Sequence, residues 1–294
     1  MPELPDVDVY VSALAARIVG MPVAGVTIAS PFVLRTAVPP IDAIVGRRVL
    51  RVHRLGKRIV VDLEGDLHLV VHLMIAGRLR WLAAGGKAPA RIALARIAFA
   101  GGTLVLTEAG TKRRASLHLV EGEAALAAFD RGGLEVEAID AAAFAARLTA
   151  ENHTLKRALT DPHTFAGIGN AYSDEILHRA KLSPLATTQK LTPEAVAGLY
   201  TAAREVLAEW RARLTAEAAG GFPEKVTAFR DGMAVHGRFG KPCPACGAPV
   251  QRIVYAENEC NYCARCQTGG RILADRALSR LLHASFPRVL DDGG

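Results

Sequence analysis

The 294-residue chain has no apolar run approaching the roughly 18 residues of a membrane-spanning helix. Its first twenty residues carry Glu3, Asp6 and Asp8 and no continuous apolar stretch, which argues against a secretory leader. The expectation is a soluble, cytoplasmic protein with no membrane partner. Cysteine is missing from the first 242 residues, and all five cysteines fall within 243–266. That crowding excludes a chain-wide disulfide framework and favours metal ligation. There is no internal repeat, which excludes a solenoid, and no low-complexity tract beyond alanine-rich stretches. Charged residues make up only 22% and apolar residues half, so a sizeable core is expected and disorder is not. Acidic residues are the minority: Lys plus Arg number 36 against 29 Asp plus Glu, a net charge of +7 that suits a polyanionic partner without proving one.

The periodicities give the order of the parts. Val7, Val11, Leu14 and Ile18 recur at helical spacing from Pro5 to Gly20. Alternation then takes over in segments 48–53, 58–64, 67–74 and 78–82. Segments 91–99 and 103–107 are joined at Gly101-Gly102, a hairpin signal. From about Glu121 the pattern turns helical, with further helices near 140–149, 154–160 and 170–180 and from Pro193 to about Ala219. Thr192-Pro193-Glu194 supplies a cap, a first-turn proline and a first-turn acid. Gly220-Gly221-Phe222-Pro223 reads as a break before the cysteine-bearing end. The fold class is α+β: a leading helix and β-sandwich over 1–132, a helical domain over 133–235, and a cysteine-hairpin domain with a terminal helix over 236–294.

Three features carry chemistry. Removal of Met1 would make Pro2 a terminal secondary amine beside Glu3, and such an amine is partly unprotonated near neutral pH. Cys243-x2-Cys246 and Cys263-x2-Cys266, sixteen residues apart, have the spacing of two knuckles holding one zinc ion around a β-hairpin. Segments 249–255 and 260–262 would be its strands and Glu257-Asn258-Glu259 its turn. Cys260-x2-Cys263 is an alternative knuckle that spacing leaves open. Ala166-Gly167-Ile168-Gly169-Asn170 opens a helix behind two glycines, where free amides suit a phosphate and Asn170 can cap. No Gly-Lys-Ser/Thr follows it, so it is no nucleotide-binding loop. Lys156 could add a cation there. Taken singly, Glu3 reads as a solvated end charge and Lys57 as a surface turn charge.

Residues 1–8, 166–180, 235–246 and 263–267 together resemble the formamidopyrimidine-DNA glycosylase / endonuclease VIII family. Met-Pro-Glu-Leu-Pro-Asp-Val-Asp is similar to its opening, Gly-Ile-Gly-Asn-Ala-Tyr-Ser-Asp-Glu-Ile-Leu to its helix-two-turn-helix motif, and Val235-His-Gly-Arg-Phe-Gly-Lys-Pro-Cys with Cys-Ala-Arg-Cys-Gln to its zinc finger. The resemblance implies a β-sandwich domain, a helical domain bearing a zinc finger, and damaged double-stranded DNA bound between them by a monomer. It implies base excision coupled to strand scission in base-excision repair. Pro2 would form the Schiff base at C1′, Glu3 would protonate the sugar ring oxygen, and Lys57 would assist elimination of the phosphate. Lys156, Gly169 and Asn170 would hold backbone phosphates, Arg113 and Arg114 would face DNA, and one structural Zn2+ would sit on Cys243, Cys246, Cys263 and Cys266.

Departures from the family pattern bear on substrate. The finger tip has Asn258 in place of an arginine, with Arg252 nearby. Ile75 stands at the void-filling methionine position, with Met74 one step off. The loop Gly110–Ala115 lacks an aromatic, and Asp6 replaces a glutamate. The stretch from Gly221 to Val235 is shorter than the lesion-capping loop of 8-oxoguanine-type enzymes, which makes an endonuclease VIII-like lesion range at least as fitting. Residues 271–290 add an amphipathic helix. The rivals are an abasic-site lyase or lesion binder of the same fold, and a non-enzymatic zinc-ribbon nucleic-acid binder.

Overall fold

The computed structural model of the protein describes residues 1–86, 89, 91–224, 226–227, 229–255, 258–273 and 289. The chain divides into two compact units, one of Met1–Arg131 with Trp210–Ala228 and one of Gly132–Glu209 with Phe229–Gly294.

The first unit opens with helix α1 (Leu4–Ile18). Eight strands follow: β1 (Gly25–Ile28), β2 (Val49–Leu55), β3 (Arg58–Leu63), β4 (Leu67–His72), β5 (Gly77–Leu82), β6 (Ala93–Phe99), β7 (Gly102–Glu108) and β8 (Ser116–Glu121). Helix α2 (Glu123–Ala127) closes the series. The strands form two antiparallel sheets of four, in the orders β1-β6-β7-β5 and β2-β3-β4-β8. Period-two alternation sends Ile59, Val61, Leu69 and Val71 of one sheet and Leu79, Ile97, Leu104 and Leu106 of the other into one core. Val7, Tyr10, Leu14 and Ile18 of α1 lie on the same core, one helical stripe against a sandwich. The sandwich and its leading helix are as the alternation predicts. Strands β1 and β8 go beyond it: the first is four residues long, and the second runs straight into the alanine-rich helical pattern.

The break at 220–223 follows the end of the long helix at Ala218, as expected, and has a packing role besides. Phe222 packs in the first core, its ring 5.7 Å from Tyr10 and 6.5 Å from Trp81, and Arg17 donates to the Gly220 carbonyl at 3.2 Å. These residues anchor the returning chain to the sandwich.

The second unit holds α3 (Ala141–Thr149), α4 (Leu155–Thr160), α5 (Asn170–Arg179) and the first part of the long α6 (Pro193–Ala218). The hairpin β9 (Val250–Tyr255) and β10 (Asn258–Cys263) and the short α7 (Ala264–Thr268) complete it. Asp140 caps α3 by accepting from the Ala143 amide at 2.8 Å. Phe144 and Phe165 stack beneath the helices at 4.6 Å. Asn258 and Glu259 belong to β10, paired with Tyr255 and Val254, and not to the expected turn. Glu257, the Asn258 side chain and nearly all of the helix expected over 271–290 lie outside the described residues. Among the described residues no helix is long and apolar enough to cross a membrane.

Candidate active site and metal centre

Chain termini usually fray, but this one is built in. Glu3 is the N-cap of α1 and exchanges a capping box with Asp6, whose Oδ2 accepts the Glu3 amide at 2.9 Å. Glu3 and Asp6 are each only 2% exposed, so Glu3 is no solvated end charge, and Pro2 is buried as well. The amine of Met1, which precedes Pro2, is held below its ordinary pKa of 8.0, mainly by burial and further by the cations of Arg78 and Lys57, against the opposing pull of Glu3 and Asp6.

Lys57 lies half-buried in the two-residue turn between β2 and β3, where Leu55 pairs with Arg58. Gly56 precedes it with φ +58°, a left-handed conformation that glycine adopts without strain. Arg54 fixes the turn to α1: its Nε donates to Asp8 Oδ1 at 2.8 Å and its Nη1 to the Gly56 carbonyl at 2.9 Å. No local signal in the sequence marks Arg54 or Asp8 for this, because the partners stand 46 residues apart.

Nor does a local signal mark His72 or Arg78. The His72 ring is held neutral, its pKa lowered to about 4 by burial and by Arg58, Lys57 and His118. Arg78 donates through Nη1 to the carbonyls of Ile75 (3.1 Å) and Gly77 (2.7 Å), and through Nε to that of Val226. It thereby fixes the turn that carries Ile75, which is 56% exposed, an apolar tip held out from the sheet. Gly77 closes this turn, its amide 2.9 Å from the Leu73 carbonyl, and a Cβ there would lie 2.3 Å from that oxygen. Arg113 and Arg114 are exposed on the loop after β7. Buried Glu108 shapes that loop by accepting the Arg114 and Ala115 amides at 2.8 and 2.9 Å.

In the second unit Gly169 is the N-cap of α5 and Asn170 its first helical residue, so Asn170 does not cap as expected. Its side-chain amide donates instead to the Glu259 carbonyl of β10 at 2.8 Å. Lys156 directs its ammonium at Asn170 O (2.7 Å), Ser173 Oγ (2.8 Å) and Asp174 Oδ1 (2.5 Å), which matches its three hydrogens. Asp174 is fully buried, and its other oxygen accepts from His236 Nδ1 (2.8 Å) and the Asn261 amide (3.1 Å). Glu175 accepts the amides of Ala234, Val235 and His236 at 2.7–2.9 Å. Burial raises the Glu175 pKa, and those three amides work against the rise. The helix start is thus locked to the finger by two carboxylates whose roles depend on contacts about 60 to 90 residues away.

The sulfurs of Cys243, Cys246, Cys263 and Cys266 lie within 4.8 Å of one another. The separations of 3.9 Å (Cys243–Cys266) and 3.4 Å (Cys246–Cys263) bracket the roughly 3.8 Å edge of a tetrahedron with metal–sulfur bonds near 2.3 Å. Burial and the neighbouring sulfurs push the Cys263 thiol up to about 11 and Cys266 higher, so four thiolates this close require a cation. The four residues fit a bound metal. Cys260 is not among them. It lies on the opposite face of β10, in the cluster of Ile253, Tyr262 and Leu273, with its thiol kept protonated chiefly by burial.

Comparison with known proteins agrees with both units. The model of the formamidopyrimidine-DNA glycosylase N-terminal domain matches residues 1–116, and that family's H2TH domain matches residues 133–213. The formamidopyrimidine-DNA glycosylase of Thermus thermophilus is 35% identical over 286 residues, covering 92% of this chain and all of its own. That of Heliobacterium modesticaldum is 33% identical over 290 residues, covering 91% and 100%. Lactococcus lactis Fpg, solved with DNA containing an abasic site, superposes with a TM-score of 0.80 at 25% identity over 90% of this chain and 99% of that one. The same enzyme with DNA containing an oxidised pyrimidine gives 0.81 at 25% identity over 91% and 100%. A capped and buried amino terminus, a helix start tied to a four-cysteine hairpin and full-length relatives agree: the chain belongs to the formamidopyrimidine-DNA glycosylase / endonuclease VIII family.

Proposed function

We propose that this protein is a DNA glycosylase of base-excision repair with a linked abasic-site lyase activity, acting on oxidatively damaged double-stranded DNA. The observation that carries this is the built-in amino terminus: a buried Pro2–Glu3 step locked by a capping box at the start of α1. After Met1 is removed, the Pro2 nitrogen attacks C1′ of the flipped nucleotide as the glycosidic bond breaks and the base departs. Glu3 protonates the ring oxygen, so the sugar opens into an iminium. That cation acidifies the proton on C2′, and its loss expels the 3′ phosphate, with Lys57 assisting the elimination.

Neutral His72 and the exposed Arg113 and Arg114 line the DNA-facing surface, and Ile75 fills the space left by the extruded base. At the helix start, Gly169 and Asn170 meet backbone phosphate, while Lys156 adds charge and holds the Asn170 carbonyl. Zinc is the ion we assign to the four thiolates, where it supplies structure and takes no part in a step. We further propose a monomer working in the cytoplasm at the nucleoid. The complexes of Lactococcus lactis Fpg with abasic-site, oxidised-pyrimidine and Fapy-dG DNA suggest the lesions to try first.

Borohydride treatment of the protein with an abasic-site duplex tests the chemistry. Covalent capture is expected, and its absence favours a non-enzymatic binder. Asn258 at the finger tip favours a second reading, a lyase with weak base excision. Release of bases from defined single-lesion duplexes separates that reading from the full glycosylase.

A further inference from the structure

His178 lies in the last turn of α5, with Nε2 3.3 Å from Sγ of Cys243, 65 residues further along the chain. Cys243 is 2% exposed and belongs to the four-sulfur cluster. A sulfur bound to a cation carries no proton, so it can only accept a hydrogen bond. The ring must therefore be the Nε2–H tautomer, donating to sulfur. Four thiolates around a divalent ion leave two excess negative charges in a largely buried place, and N–H donors offset them. Backbone amides supply part of that offset: Cys266 donates to Cys263 Sγ at 3.4 Å, and the Ala248 amide bonds to Cys246.

We propose that His178 is an outer-shell positioning residue of the metal centre, its Nε2–H holding the Cys243 thiolate in its ligating orientation and offsetting its charge. The helix behind it is firmly placed. Asn170, Asp174 and Glu175 fix α5 to β10 and to residues 234–236, so the imidazole is presented on a rigid element. The metal is thereby tied to the same helix whose start carries Gly169 and Asn170. This inference rests on the four-thiolate centre and stands apart from the glycosylase reading.

Two variants of the full chain separate hydrogen bonding from packing. His178→Phe keeps an aromatic ring and loses the donor, whereas His178→Gln keeps an N–H near the Nε2 position and loses the ring. Each is loaded with zinc and titrated with a competing chromogenic chelator, alongside the parent. The expected result is zinc held ten- to a hundredfold less tightly by His178→Phe and within about threefold of the parent by His178→Gln. With cobalt in place of zinc, the sulfur-to-metal charge-transfer band should shift in His178→Phe and stay in place in His178→Gln. Parent-like retention by His178→Phe would overturn the proposal, and so would equal losses in both variants. A parent chain that holds no zinc would overturn the metal centre itself and leave the glycosylase test untouched.

Discussion

The amino-terminal end of the first unit rests on an apolar sandwich, whereas the helix start of the second rests on buried carboxylates and four thiols. Around Pro2 and Lys57 the supporting atoms are mostly hydrocarbon apart from the buried Glu3–Asp6 capping box: α1 and two sheets share one core, and the Arg54–Asp8 ion pair and the bonds of Arg78 to backbone carbonyls lie at its rim. Around Asn170 the order is reversed. Asp174 and Glu175 are buried and satisfied by a lysine, a histidine and four backbone amides. Hydrophobic packing tolerates local change in proportion to the volume lost, whereas a polar network fails when one member is removed. The two units should therefore respond differently to the same insult.

The largest difference should come from a chelator. Structural zinc sites contribute on the order of 10 kcal/mol to the folding of the segments they close. Stripping the metal is expected to expose amides of β9 and β10 to hydrogen exchange while β3 and β4 keep their protection. Equal loss in both units would break the contrast.

Next comes Lys156→Met, which leaves the buried Asp174 carboxylate without its cation and is expected to cost about 3–5 kcal/mol in urea unfolding. A cost below about 1 kcal/mol would show that His236 and the Asn261 amide suffice for Asp174.

The smallest effect belongs to the first unit and to acid. His72 titrates near 6.5 when unfolded and about 4 when folded. Between those values the unfolded chain binds more protons. Stability attributable to His72 is therefore complete above pH 6.5 and falls as the pH drops toward 4, by about 3 kcal/mol in all. His72→Gln should flatten the dependence of stability on pH in that window. An unchanged slope would assign the acid sensitivity elsewhere.

Much of this was legible in the sequence where the signal is local. The turn Leu55-Gly56-Lys57-Arg58, the two cysteine knuckles and the glycine-led start of α5 each lie within a few residues, and each takes the expected place. The choice between knuckles needed strand parity: β10 alternates, so Cys260 and Cys263 face opposite sides, which spacing alone did not decide. What stayed hidden depends on distant partners. Lys156 reads as a cation for phosphate until α5 brings Asp174 to it, and Arg78 reads as a strand residue until Val226 returns beside it. Gly220–Pro223 reads only as a break because nothing local announces that Phe222 finds Tyr10 and Trp81.

The central claim concerns one nitrogen. The most direct test is proteolysis and mass spectrometry of the protein reduced onto an abasic-site duplex. The expected result is a mature chain that begins at Pro2, with the sugar remnant on the proline nitrogen and no adduct when that amine is blocked by a retained Met1. An adduct carried by a lysine, or undiminished capture by protein that still begins with methionine, would contradict it.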